Sequence, residues 1–260
     1  KILQKGGTDD IKKYQLQLTF FNSTGVSIPQ ELHDSIIRDL YKQVLVSDIV
    51  SDISVEEFTK EVQKEDGQCG MFVIMFIENM LYDDKISLSL FTDERMKMLR
   101  SIIFSDSTML LPQSKTNISQ CSPEDMSARV YQTLRNIRKK SNTLEEYKKQ
   151  LQKKLPELNV SCTSKPKNEY PHDDTAWLSN IDIDNVFEQY EKIEELKFKY
   201  INAVGIDAGK PNCYSSELCS LHIDELIESG KRKFAVVYNT DKHHSSGEHW
   251  IALFGKLEEI

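Results

Sequence analysis

Residues 14–21 (YQLQLTFF) alternate polar and apolar side chains, the period of a strand with one buried face, before Asn22-Ser23-Thr24-Gly25 turns the chain. Residues 29–46 place Leu32, Ile36, Ile37, Leu40 and Val44 on one side of a helix. A weaker strand is expected over residues 58–63. It leads into Cys69–Leu81 (CGMFVIMFIENML), which is almost wholly apolar, and a helix apolar on all sides belongs in the middle of a core.

The pattern then breaks. Residues 105–123 are rich in Ser, Thr and Pro and read as a linker. Two amphipathic helices follow, over residues 124–140 (Met126, Val130, Leu134, Ile137) and 143–155 (Leu144, Tyr147, Leu151), and residues 162–175 are polar again. From Trp177 onward, Asp182 is expected to cap a helix that turns Ile183, Val186, Phe187 and Tyr190 inward. KFAVVYN (233–239) and WIALF (250–254) have the short, continuous apolar character of buried strands. The expected class is α+β, a central mixed sheet flanked by helices, with residues 1–112 and 177–260 forming a core and 113–176 a helical arm standing apart from it.

Charge sharpens the division. The chain carries a net −8, yet residues 113–176 hold 12 Lys and Arg against 8 Asp and Glu, leaving −12 elsewhere. General nucleic-acid binding is disfavoured, while the basic arm could contact an acidic protein or nucleic acid. The longest apolar run, residues 71–77, is far short of the roughly 20 residues a membrane-spanning helix needs, so no span is expected. Residues 1–7 (KILQKGG) lack Met and a signal-like apolar core, and read as an end made by processing or design. Five scattered cysteines do not suggest a disulfide framework and fit a reducing compartment. Cys213 and Cys219, with His222 nearby, lie in what reads as a strand and helix entrance and lack a fourth ligand, so neither a metal nor a cofactor is expected.

One thiol stands out. Cys69 follows the polar loop Lys64-Glu65-Asp66-Gly67-Gln68 and opens the buried helix, where unpaired N–H groups and the helix dipole favour thiolate. A packing cysteine has no need of such a loop. A thiol nucleophile also needs an imidazole and a group to orient it. Among six histidines, His249 lies at the mouth of the 250–254 strand, whereas His243 and His244 fall in the preceding turn and read as solvated.

These segments together carry a resemblance. WLSNIDI (177–183), HWIALF (249–254) and Gln63 six residues before Cys69-Gly70 resemble the Ulp/SENP and adenain superfamily of cysteine proteases. HWIALF, FFNSTG (20–25) and QCGMFVIMFIENML (68–81) look most similar to the polyprotein-processing proteases of African swine fever virus and related large DNA viruses. The resemblance covers residues 14–104 and 177–260. It implies a papain-like, adenain-type core in which His249 is the general base and Asn22 fixes its tautomer. Gln63, with the Cys69 backbone N–H, would hold the oxyanion, Gln68 being the neighbouring alternative. Trp250 would roof a channel that admits only glycine, with Gln68 and Gly70 beside it. The implied activity is cleavage after Gly-Gly in viral structural polyproteins, in the virion and host cytoplasm. Removal of a ubiquitin-like modifier, or an inactive module holding a Gly-Gly tail, are the alternatives.

The family order is His, Asn or Asp, Cys, but this chain runs Asn22, Cys69, His249. Joining residue 260 to residue 1 restores it and makes a hairpin across KGGTDD (5–10), so the chain is expected to be circularly permuted with its two ends adjacent. Gly6-Gly7 also matches the implied cleavage preference.

Overall fold

The computed structural model describes residues 12–58, 60–83, 90–104, 128–158 and 176–260. The hairpin turn over 5–10, Gly6-Gly7, the end at residue 1 and most of the expected linker lie outside them.

Five strands form one mixed sheet: β1 (Tyr14–Phe21), β2 (Val50–Phe58), β3 (Phe198–Gly205), β4 (Lys233–Asn239) and β5 (Trp250–Glu259), in the order β2-β1-β5-β4-β3. The two ends of the sheet are parallel pairs, β1 with β2 and β3 with β4. The middle is antiparallel, because β5 runs against both β1 and β4. Strands that are apolar on both faces must be covered on both. Trp250, Ala252 and Phe254 of β5 face one hydrophobic cluster, Ile251, Leu253 and Leu257 the other.

One layer is built on α1 (Arg38–Val46), entered through Gln30–Leu32 and a π-helical stretch His33–Ile37. The other is built on α2 (Cys69–Leu81). Every residue of α2 except Met80 is buried, as its composition demands. The described helices include none long and apolar enough to cross a membrane. The protein is therefore α+β with a mixed five-stranded sheet, as expected, and β1 and α2 fall where their patterns place them.

Four expectations need correction. The strand expected over 58–63 is β2, ending at Phe58; its alternation is faint because it is an edge strand with mostly solvated side chains. Strand β3 was not anticipated, since Lys199 and Asn202 interrupt its apolar run. Asp182 does not cap α6 (Asn180–Glu191). Ser179 does, accepting from the Asp182 N–H at 3.3 Å, while the Asp182 carboxylate accepts the Ser179 N–H at 2.8 Å in a reciprocal capping box. Cys213 and Cys219 are joined by a disulfide. Their segment is a loop and a one-turn helix, α7 (Ser216–Cys219), which folds the Cα atoms to 5.7 Å, where the sequence suggested no disulfide.

The helical arm does not stand apart either. From α4 (Ala128–Lys140) and α5 (Leu144–Leu158), Ile137, Tyr147 and Leu151 are buried in the α2 cluster. Arg95 donates to the carbonyls of Arg138, Lys139 and Ser141 at 3.0–3.2 Å, occupying acceptors that the end of α4 leaves open. The buried Glu78 of α2 accepts from Tyr190 Oη at 2.8 Å and from the Arg138 guanidinium, with Arg135 Nε 3.8 Å away. The basic character of this region is thus spent in part on an acidic residue of the core.

Removing one member of a buried ion cluster strands the others. Glu78→Ala is expected to destabilise the protein by about 3–5 kcal/mol, read as a lowered urea midpoint, and to speed proteolytic cutting between α4 and α5. An unchanged midpoint would show that the arm is not anchored by this cluster.

Candidate functional site

Strand pairing brings two of the expected residues together. In the β1–β5 ladder Phe21 lies opposite Ala252, so the next residue of β1 and the residue just before β5 emerge at the same end of the sheet. They are Asn22 and His249, and Asn22 Oδ1 meets His249 Nε2 at 3.0 Å. The same oxygen accepts from the Thr24 N–H at 3.0 Å and Thr24 Oγ1 at 2.7 Å. A backbone N–H can only donate, which fixes this atom of the buried amide as its oxygen. Nε2 of His249 must therefore carry a hydrogen, and Nδ1 is the basic nitrogen of the neutral ring.

Cys69 is the first residue of α2 and is buried, with Gln68 at the N-cap. The backbone N–H groups of Trp250, Gly70 and Cys69 itself all favour its thiolate. The Trp250 contribution ties the sulfur to the peptide that follows His249. The start of α2 therefore lies beside the first residue of β5; among the described contacts the His249 ring is bonded to Asn22 and not to the Cys69 sulfur.

The loop before Cys69 is fastened by one face of α3 (Asp93–Phe104). Asp93 Oδ2 accepts from the Lys64 N–H at 3.0 Å, Lys97 pairs with Glu65, and the fully buried Arg100 donates to the Gly67 carbonyl at 3.4 Å. Positions 93, 97 and 100 recur at helical spacing, a polar stripe visible in the sequence but not recognised there as a clamp. Arg100 also donates to the Ala176 carbonyl and so draws in the segment carrying Leu178. Leu178 covers Gly70, where a Cβ would come within 3.0 Å of the leucine Cβ. Its carbonyl accepts from Trp250 Nε1 at 2.8 Å.

Gln63 is built onto the residue after Asn22. Its N–H donates to the Ser23 carbonyl at 3.0 Å, its Oε1 accepts from Ser23 Oγ at 2.6 Å, and its Nε2 donates to the Glu65 carbonyl at 2.8 Å. Trp250 lines a cleft of 490 Å³, together with Trp177, Leu178, Ala203, Tyr214 and Gly247. Gln68 and Gly70, expected beside Trp250, are buried and are not among the residues that line this cleft.

Electrostatics departs from expectation at one point. Burial raises the Cys69 thiol above its ordinary 9.0, outweighing the N–H groups that favour thiolate. Burial likewise lowers His249 below 6.5, against the opposing pull of Glu248. At neutral pH both groups are uncharged: a thiol, and an imidazole ready to accept a proton.

No family model matches the chain, and no solved structure matches it. Over 91 residues it is 35% identical to "Putative thiol protease R355" of Acanthamoeba polyphaga mimivirus, covering 34% of this chain. The match spans 28% of that relative's length.

A neutral pair has a kinetic signature. Because the folded thiol titrates above 9.0, alkylation of Cys69 by iodoacetamide in the free protein is expected to keep rising as pH increases through that value. A rate already level between about pH 6 and 8 would instead reveal a preformed thiolate–imidazolium pair.

Proposed function

We propose that the protein is a cysteine endopeptidase of viral type, with Cys69 as nucleophile, His249 as general base and Asn22 as the residue that orients the imidazole. The observation that carries this reading is the 3.0 Å contact between Asn22 Oδ1 and His249 Nε2, which leaves Nδ1 free to take a proton. The partial likeness to a mimivirus protein named as a thiol protease supports both the class and the viral setting.

As a substrate carbonyl approaches, the Cys69 proton passes to His249 Nδ1 while the sulfur–carbon bond forms and the carbonyl becomes an oxyanion. Moving the proton during attack removes the need for a resting thiolate. The backbone N–H of Cys69 and the second N–H of the Gln63 amide face the oxyanion, a contact typically worth about 10²–10³ in rate. Collapse breaks the carbon–nitrogen bond, the departing amine takes the proton from Nδ1, and water then hydrolyses the thioester.

Selectivity for Gly-Gly-Xaa in structural polyproteins rests on Trp250. Its ring, held by the Leu178 carbonyl, narrows the approach so that a Cβ is rejected. The chain order is that of a circular permutant. Its support is the antiparallel β5–β1 neighbourhood, in which the Ile260 N–H donates to the Lys13 carbonyl at 3.0 Å, so that the strands joined by the permutation lie side by side. The sites of action are the virion and host cytoplasm, with the Cys213–Cys219 bridge forming once the protein leaves reducing surroundings.

Unstructured peptides containing Gly-Gly-Xaa are expected to be cut after the second glycine. Cys69→Ser should abolish turnover and His249→Ala should lower kcat by about 10²–10⁴. Wild-type protein that binds Gly-Gly peptides yet leaves them intact over long incubation would identify a binding module instead.

A further inference from the structure

Strands β3 and β4 are parallel, so the loops that follow them leave the same edge of the sheet. Such carboxyl ends are where open sheets gather ligands. Here the two loops are locked together. The Ile206 N–H donates to the Asp241 carbonyl at 3.1 Å and the His243 N–H to Asp207 Oδ1 at 2.8 Å. The approach is close enough that a Cβ on residue 205 would stand 2.5 Å from the His243 nitrogen, which is why Gly205 ends β3. The His243 ring is held as well, stacked on Tyr214 with centroids 3.6 Å apart, and His244 meets it edge-on at 4.9 Å.

We propose that Asp207, His243 and His244 form a binding site for a borderline-soft divalent metal ion of the zinc class. One ligand atom from each lies within 4.8 Å of the others. Asp207 Oδ2 and His243 Nδ1 are already 2.9 Å apart. Two ligands at bond lengths of about 2.0–2.1 Å on a tetrahedral zinc are separated by roughly 3.3 Å, so the ion can replace the proton of this hydrogen bond with little movement. The exposed His244 ring needs only a side-chain rotation to complete a two-histidine, one-carboxylate set. Imidazole nitrogens select zinc, nickel, cobalt or copper over magnesium and calcium, which prefer all-oxygen shells. Two loops that are pinned before the ion arrives leave little ordering cost to binding. The remaining coordination positions open to solvent beside His243, which also borders the 490 Å³ cleft, so the ion would sit at its rim.

Inhibition of hydrolysis by zinc would not be diagnostic, since the Cys69 thiol can bind zinc itself. The test is calorimetric titration of ZnCl2 into the full Cys69→Ser chain. One equivalent is expected to bind, MgCl2 to give no comparable heat, and His244→Ala to weaken binding at least about tenfold. His244 is exposed, so its loss should leave the fold intact; Asp207→Asn serves as a second variant, and His33→Ala, an exposed histidine in the π-helical stretch before α1, should bind as the parent does. Equal zinc affinity with and without His244, or a loss in His33→Ala as large as in His244→Ala, would overturn the assignment.

Discussion

The register between β1 and β5 is the constraint on which the rest of the site depends. With Phe21 opposite Ala252, the chain leaving β1 and the chain entering β5 pass each other at one end of the sheet. A slip of one residue would turn every side chain of β1 to the other face. Leu16, Leu18 and Phe20 would leave the cluster on the α1 side, and Asn22 would no longer face the ring of His249. Register is thus held by several kilocalories of hydrophobic burial, each fully buried large apolar side chain being worth about 1.5–3 kcal/mol. A polar contact worth far less inherits that precision without having to enforce it.

Cys69 is placed by different means. A helix as apolar as α2 is held by its surroundings on all sides, but the loop that starts it is polar and would be mobile if left alone. The stripe Asp93, Lys97, Arg100 supplies the missing rigidity through a backbone N–H, a side chain and a carbonyl of that loop in turn. Arg100 extends the same clamp to Ala176, and through Leu178 to the Trp250 indole. Cys69 and Trp250 are therefore referenced to a common support, although they lie 181 positions apart in the chain.

Much of this was legible in the residues because it follows from period and composition. The alternation of YQLQLTFF, the unbroken apolar helix after Cys69 and the strand after His249 are local signals, and each lies where its pattern says. What the pattern hides is tertiary. Edge strand β2 wears solvent-facing side chains, and β3 has Lys199 and Asn202 within it, so neither shows a clean period. The arm helices read as separate because their polar faces are rich in Lys and Arg. Their docking depends on Glu78, a single acidic residue inside the apolar helix, whose importance appears only when Arg135, Arg138 and Tyr190 are seen to converge on it. The thiol's titration was misjudged for a related reason: helix position is visible in sequence, burial at Cys69 is not, and burial outweighs the N–H groups there.

The two pKa displacements work toward one end. Desolvation penalises whichever form is charged, so it raises the Cys69 thiol and lowers the His249 imidazole, and each is driven toward its neutral form. Charge separation then occurs only when something arrives to stabilise it. The donors able to do so, the backbone N–H groups of Trp250, Gly70 and Cys69, are fixed in place beforehand by strand and helix. Any group that displaces water from this site strengthens those interactions further, since they act in a lower dielectric. A resting thiol is also a poor target for oxidants and stray electrophiles.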